Sequence, residues 1–229
     1  MTIIAVCGLL REARIAAGPG VKTAVAANDP DLLRRKLEQA IAEGARGIVS
    51  FGIAGGLEPS LKSGDCVVAW AVQDGGARFI PDVAWAQRIV ARLPHAIHAP
   101  VAGVDGIAAT PAAKSALFES TRAYAVDMES HIVARVAVAH RVPFAVLRTI
   151  ADPAHSALPP LASAAVTAAG RLNLLGVLAS LLGNPRQISA LPRTARETNA
   201  AFAALLRCRR ALGVGFLGPD GGELPLDMG

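Results

Sequence analysis

Length, composition and charge indicate a globular chain with one full hydrophobic core: it has 229 residues and a net charge of +5. Hydrophobic residues make up 52% of the chain but aromatic residues only 4%, so the core must consist of Ala, Val, Leu and Ile in helix-on-sheet layers. The three cysteines, Cys7, Cys66 and Cys208, are far apart and odd in number, so neither a metal knuckle nor a disulfide framework is indicated.

The first half of the chain begins with an apolar run, Ile3–Cys7, that predicts a buried strand ended by Gly8. The segment before it lacks the basic region and cleavage site of a signal peptide, which favours a cytoplasmic protein. Asp29-Pro30 has the residues of a helix start, and apolar residues recur at helical spacing until Gly44. Two further strands are predicted, at Gly47–Phe51 and at Cys66–Trp70.

The second half continues the alternation of helices and strands. Thr110-Pro111 opens a helix that runs to about Ser120. The elements predicted after it are a strand at Tyr124–Val126, a helix at Met128–Arg141, a strand at Pro143–Ile150 and a helix at Leu161–Leu182. Because strands and helices alternate and the strands are apolar throughout, the sequence predicts an α/β fold with a sheet buried on both faces.

The C-terminal region differs in charge from the rest. The apolar stretch Leu161–Gly183 carries Arg171 at its middle, which would cost roughly 2.5–3.5 kcal/mol in a membrane, so we expect a buried or interfacial helix. We predict two domains, 1–185 and a basic helical extension with a loose tail at 186–229. Between Arg186 and Arg210 there are six Arg and one acid, which suits either a solvated face or contact with phosphate or an anionic membrane.

Three features follow predicted strands, where ligands of α/β proteins bind. The first is Gly52–Gly56, which is either a tight turn or a source of backbone donors. The second is Asp127-Met128-Glu129, where Glu129 either stabilises a helix start or accepts hydrogen bonds from two sugar hydroxyls. The third is Asp152, which Pro153 keeps in an extended or turn conformation, as a structural turn or a site residue.

Other motifs carry less information. Glu12 follows the first strand and is either a surface helix residue or part of the site. The five histidines show no ligand spacing, so we predict no metal site, and the absence of a GxGxxG motif argues against a dinucleotide-binding oxidoreductase.

Four stretches together resemble the nucleoside phosphorylase/nucleosidase superfamily, especially methylthioadenosine/adenosylhomocysteine nucleosidases. They are Ile4–Glu12, Ser50–Leu57 with Gly64-Asp65 after it, Ala125–Ser130 and Val146–Asp152. The whole pattern is most similar to the hopanoid-associated phosphorylase branch. The resemblance implies a central mixed, largely parallel sheet flanked by helices on both faces. It also implies cleavage of an adenine nucleoside without a cofactor, the substrate of that branch being adenosylhopane.

The resemblance implies a role for each site residue. Asp152 would be the general acid at the purine N7, Glu12 the general base for water, and Met128 with Glu129 the ribose contacts. The residues implied to lie along the purine are Gly55, Gly56, Asp105, Ile107, Val126 and Asp127. Since cleavage passes through a sugar with oxocarbenium character, an acid at N7 and carboxylates near the ribose lower its barrier.

The sequence departs from the family at several positions. Ile53 stands where the family has a Ser that positions phosphate or water, and Ile107 stands where a Phe is usual. Ile53 favours hydrolysis, whereas Arg11 and Arg148 leave phosphate open as a co-substrate. If the match to the family is shifted by one residue, Ala13 instead of Glu12 stands at the catalytic position.

The partners expected are a small or lipid-linked adenine nucleoside, the surface of an anionic membrane and a second copy of the chain, but no nucleic acid. A hairpin usual after the first strand is nearly absent, which opens the 5′ side to a large apolar substituent. The alternatives are a purine nucleoside phosphorylase, a nucleosidase acting on a soluble substrate, and a non-catalytic nucleoside-binding protein.

Overall fold

The structure, a computed structural model, describes residues 2–25, 29–158 and 191–219. These residues form eight strands, six α-helices and a short 3-10 helix at Val214–Leu217. The strands are β1 (Ile3–Cys7), β2 (Val21–Val25), β3 (Gly47–Gly56), β4 (Cys66–Asp74), β5 (Ala77–Phe79), β6 (Ile97–Gly103), β7 (Ala125–Asp127) and β8 (Phe144–Asp152). The helices are α1 (Leu10–Ala16), α2 (Pro30–Ala42), α3 (Val83–Arg92), α4 (Pro111–Thr121), α5 (Ser130–His140) and α6 (Leu191–Leu212).

The strands form one mixed sheet in the order β2-β1-β3-β7-β6-β4-β5. Strand β8 pairs with both β3 and β4, so the strands β3, β7, β6, β4 and β8 close into a ring. Five of the pairings are parallel, and β3 with β7, β4 with β5 and β4 with β8 are antiparallel. The predicted α/β fold, with a mixed and largely parallel sheet, is confirmed.

Alternating residues of the central strands fill two separate cores. In β1, Ile4 and Val6 belong to a core shared with α2 and α5, whereas Ile3, Ala5 and Cys7 belong to a core shared with α1, α3 and α6. Successive strand residues point to opposite faces of a sheet, so a run that is apolar at every position must be covered on both sides. The continuous apolar run of β1 thus requires helices on both faces.

The C-terminal helix α6 packs on the sheet. Phe202 and Leu205 are buried in the second core, and the Thr149 hydroxyl of β8 donates to the Ala201 carbonyl at 3.1 Å. The loose tail predicted from Gly213 is wrong for Val214–Leu217, because Phe216 is fully buried against Phe51. The boundary predicted at residue 185 stays a prediction, since residues 159–190 lie outside the described part, as does the predicted helix Leu161–Leu182.

Several boundaries differ from the sequence prediction. The glycine segment Gly52–Gly56 is no turn, because β3 continues through it to Gly56 and pairs there with β7 and β8. Helix α5 begins at Ser130 instead of Met128, since Asp127 and not Glu129 caps it. Among the described residues, no helix has the length and apolar character needed to cross a membrane.

Candidate active site

An open cleft of about 210 Å³ lies where β1, β3, β7 and β8 end. Loop residues 104–108, which follow β6, form part of its wall. The carboxyl ends of parallel strands are the usual ligand site of an α/β sheet. The predicted site residues that line the cleft are Glu12, Gly55, Ile107, Val126, Asp127, Met128, Glu129 and Asp152.

Glu12 is buried at the start of α1 and is not the surface residue that its isolation in the sequence also allowed. Its Oε2 accepts from the Leu9 N–H at 2.8 Å, half of a capping box, and its Oε1 accepts from the Ile53 N–H at 2.7 Å. Burial raises the pKa of Glu12, while Arg148 and the backbone hydrogen bonds oppose the shift. Ala13 lies in the second core instead, so Glu12 is the residue of this segment that reaches the cleft.

Glu129 faces the cleft because its neighbour Asp127 caps α5. Asp127 Oδ1 accepts from the backbone N–H groups of Glu129 at 2.9 Å and Ser130 at 2.7 Å. The Glu129 side chain makes no cap hydrogen bond. Burial raises the pKa of Glu129 to about 7, with Arg148 opposing the shift and Asp127 adding to it. A carboxyl group in this position is able to accept hydrogen bonds from ligand hydroxyls when it is ionised.

Arg148 is the cation that holds these acidic residues together. Its fully buried guanidinium lies 2.7 Å from Asp127 Oδ2 through Nε and 3.3 Å from Glu129 Oε2 through Nη2. Nη2 also donates to the Ser50 hydroxyl at 2.6 Å. One guanidinium thus faces three carboxyl groups, so the pKa of Glu129, raised mainly by burial, is raised further by the charges of Asp127 and Glu12.

Gly8 and Gly52 leave room for this network. A Cβ at Gly52 would lie 2.6 Å from both Arg148 Nη1 and Glu12 Oε1. A Cβ at Gly8 would lie 2.8 Å from Glu129 Oε1. The glycine after β1 and the first glycine of the Gly52–Gly56 segment therefore admit charged side chains where a larger residue would displace them.

Asp152 also lines the cleft, at the end of β8. The register of β3 and β8 shifts between Ala54 and Gly55, so that Gly55 pairs with Asp152 and Ala151 is left over as a bulge. A bulge re-aims the side chains that follow it and is common beside active sites. Burial raises the pKa of Asp152, while Lys114 opposes the shift, with Nζ 2.6 Å from Asp152 Oδ2.

Two of the predicted purine contacts do not line the cleft. Gly56 packs against Ile150 and the Pro153 backbone. Asp105 pairs with His131 of α5, with Oδ1 3.0 Å from Nε2. It belongs to the loop after β6, but it is the one residue of 104–108 that does not line the cleft.

The sequence analysis missed several buried polar residues around the cleft. They are Lys114, Ser50, Ser130 and His131. Each lies in a helix or strand whose pattern is apolar or mixed, and each acquires its partner only through tertiary contacts. From the sequence, Lys114 is expected to be an exposed residue of α4, and nothing in the residues around it indicates that it is buried. The described residues contain no group of three or more His, Cys, Asp or Glu that could hold a metal ion.

These features define an α/β protein with an acidic, ligand-sized cleft at the ends of its strands. The chain belongs to the phosphorylase superfamily, because the model of that family matches residues 34–175. A search of curated proteins by sequence found no match.

Several solved structures share the fold. The native futalosine hydrolase of Helicobacter pylori has 18% identity and a TM-score of 0.61, with 91% of this chain and 97% of that chain covered. The 5′-methylthioadenosine/S-adenosylhomocysteine nucleosidase of S. pneumoniae, with a transition-state inhibitor, has 16% identity and a TM-score of 0.64, with 93% and 100% covered. The corresponding nucleosidase of Campylobacter jejuni has 17% identity and a TM-score of 0.59, with 92% and 99% covered.

Proposed function

We propose that this protein cleaves the N-glycosidic bond of an adenine nucleoside. The observation that carries the proposal is a single cleft lined by Asp152, Glu129 and Glu12 together. A bound nucleoside needs several carboxyl groups, because the base requires a proton donor while the sugar requires negative charge as it gains oxocarbenium character.

Each residue takes the role that its position favours. Asp152, whose pKa burial raises, gives a proton to the purine N7 and so makes adenine a neutral leaving group. Glu129 and Met128 hold the ribose, since both line the cleft beside the end of β7. Glu12 accepts the proton of the attacking water, because it is buried next to Glu129 and its pKa is also raised.

Three contacts support water over phosphate as the nucleophile. Arg148 is already surrounded by acidic groups. The Ile53 N–H, which could bind a phosphate oxygen, donates to Glu12. Arg11 stacks 4.0 Å above the Phe202 ring of α6, away from the cleft-lining residues. A phosphate would therefore approach the carboxylates around Arg148 and would find the Ile53 N–H and Arg11 already engaged.

Chromatography of adenine released from adenine nucleosides, with and without phosphate, tests the proposal. We expect release in phosphate-free buffer, with a free sugar as the second product. Release that requires phosphate and yields a ribose 1-phosphate would contradict hydrolysis but keep the bond cleavage. No release from any adenine nucleoside would contradict the enzyme function and favour a nucleoside-binding protein.

For the substrate, we propose adenosylhopane, which would give adenine and ribosylhopane in hopanoid lipid synthesis. The support is the apolar part of the cleft lining, formed by Leu9, Ile53, Ile107 and Leu158, with Ile107 44% exposed. An apolar surface of this kind suits a large hydrocarbon substituent at the 5′ position. A comparison of adenosylhopane with methylthioadenosine and adenosylhomocysteine tests it, and a higher kcat/KM for either soluble nucleoside would overturn it.

We further propose that α6 holds the protein at an anionic membrane. Arg196, Arg207 and Arg210 are exposed on this helix, whereas Arg209 is buried and donates to the Ala16 carbonyl at 2.9 Å. Deletion of the helix would expose the core, so replacement of Arg196, Arg207 and Arg210 together by Glu is the sharper test. We expect the wild-type protein, but not this variant, to float with anionic liposomes. Equal flotation of both would refute the proposal.

A further inference from the structure

Lys114 is a charged residue that lies entirely inside the protein. It projects from α4, and its side chain is 0% exposed. An ammonium group removed from water is unfavourable by several kcal/mol unless other groups compensate its charge. A lysine at this position therefore requires acceptors and a counter-ion.

The segment after β8 supplies both. Lys114 Nζ donates to the backbone carbonyls of Asp152 at 3.1 Å, Pro153 at 2.9 Å and Ser156 at 3.0 Å. These three carbonyls match the three N–H groups of an ammonium. The fourth neighbour is Asp152 Oδ2 at 2.6 Å, a contact of opposite charges without an aligned hydrogen bond.

We infer that Lys114 is a positioning residue for Asp152, whose carboxyl group it orients towards the cleft and whose charge it balances. The inference rests on the proposed function, because that function gives Asp152 its task at the base. Lys114 itself does not line the cleft and so acts through Asp152. It combines two roles: the three carbonyl contacts fix the turn at residues 152–156, and the positive charge acts on the carboxyl group.

The charge has a consequence that the carbonyl contacts alone do not have. Burial raises the pKa of Asp152, Lys114 from α4 lowers it, and Glu197 from α6 raises it. Glu197 is itself engaged by Arg193 at 3.5 Å and by the Ser156 hydroxyl at 3.4 Å. Removal of the Lys114 charge therefore leaves burial and Glu197 opposed only by a backbone hydrogen bond of Asp152, and it raises the pKa of Asp152 further.

The first test compares pH profiles of adenine release by the wild type and by Lys114→Met. If the protonated Asp152 is the general acid, kcat/KM falls as pH rises through the pKa of Asp152. The pH at which activity is lost should therefore be higher for the variant than for the wild type. We expect this alkaline limb of the pH profile to move by about one pH unit or more and kcat near neutral pH to fall about tenfold or more, with a smaller change in KM. Lys36→Met is the matched control, since Lys36 of α2 is a half-buried lysine that donates to the Val25 carbonyl away from the cleft.

The outcomes separate this inference from the function on which it rests. Wild-type protein that releases no adenine contradicts the function. Active wild-type protein with an unmoved pH limb in Lys114→Met overturns the inference, because a merely structural lysine would lower activity without shifting that limb. Adding Lys114→Met to Asp152→Asn should reduce kcat less than about twofold further if Lys114 acts through Asp152. A multiplicative loss would also overturn the inference.

A stability test needs no activity and no folded Lys114→Met single variant. At a pH above the pKa of Asp152, where its carboxyl group is ionised in the wild type, Asp152→Asn leaves the buried ammonium without its counter-ion, so its Tm should fall below that of the wild type. The double variant Asp152→Asn/Lys114→Met removes both charges and should recover part of that fall. If Asp152→Asn has the same Tm as the wild type, or if the double variant has a lower Tm than Asp152→Asn, then Asp152 does not balance the charge of Lys114 and the inference fails.

Discussion

Replacing Glu129 with Gln removes a carboxyl group whose pKa burial raises from 4.5 to about 7. In the unfolded chain this group ionises near its ordinary pKa, whereas the folded protein keeps it protonated to higher pH. The unfolded state thus binds fewer protons than the folded state between these two pKa values, so the free energy of unfolding falls as pH rises. The stability that the protonated group contributes is complete below the unfolded pKa and is lost as pH rises through the folded one.

The size of the effect follows from the two pKa values. One pKa unit corresponds to about 1.4 kcal/mol, so the loss from about pH 5 to about pH 8.5 is on the order of 2–3 kcal/mol. Gln does not titrate, so the variant lacks this loss. The stability of Glu129→Gln minus that of the wild type should therefore increase by on the order of 2–3 kcal/mol across this range.

Urea denaturation of both proteins at several pH values measures this difference. Glu43→Gln is the matched control, because Glu43 is exposed and its pKa is lowered by hydrogen bonds from Gln39 and Lys22. Glu43 is ionised in both the folded and the unfolded state above its ordinary pKa, so its replacement should give a difference that hardly changes with pH over this range. A difference for Glu129→Gln that stays flat or decreases with pH would refute the assignment of Glu129 as the buried proton-binding group of the cleft.

Three further substitutions test the site and the core. Asp152→Asn should lower kcat for adenine release by about 10²–10⁴-fold with a smaller effect on KM, and near-normal turnover would remove Asp152 from catalysis. Gly52→Ala places a Cβ 2.6 Å from Arg148 Nη1, so it should lower activity, and it should lower the free energy of unfolding measured in urea by about 1–3 kcal/mol. Wild-type activity and stability would show that the side chains around Gly52 can rearrange without cost. Phe216→Ala should lower the free energy of unfolding by about 3–5 kcal/mol, whereas Val214→Ala, at a side chain 46% exposed, should change it little; equal effects would mean that this turn is not part of the core.

Local patterns predicted the parts of the fold that local interactions determine. Ile3–Cys7 was predicted as a strand because a continuous apolar run needs burial on both faces. The helix start at Asp29 could be predicted from the Asp-Pro pair because helix capping is local. In the structure the Asp29 side chain accepts from the Leu32 N–H at 2.8 Å, a contact within one turn. The missed strand Val21–Val25 has exposed polar residues and only one buried position, so its pattern was too weak to detect.

The candidate site could be predicted only as a set of strand ends. Glu129 and Asp152 were found because a strand ends at each, and the structure places both in one cleft. Lys114 was not found, because it is 38 residues from Asp152 in the chain and the sheet alone brings them together. The sequence also did not reveal that Arg148 holds the acidic residues, since this depends on the register of β3 and β8.

Closure of the ring by β8 affects how copies of this protein can associate. In the described part of the chain, only β2 and β5 each pair with a single neighbouring strand. An open strand edge invites pairing with another chain, and charged residues or short length suppress it. β2 exposes Lys22, and β5 has only three residues and exposes Arg78. Both edges are therefore poor templates for strand addition, and the homodimer proposed for this protein would have to form through helices and loops.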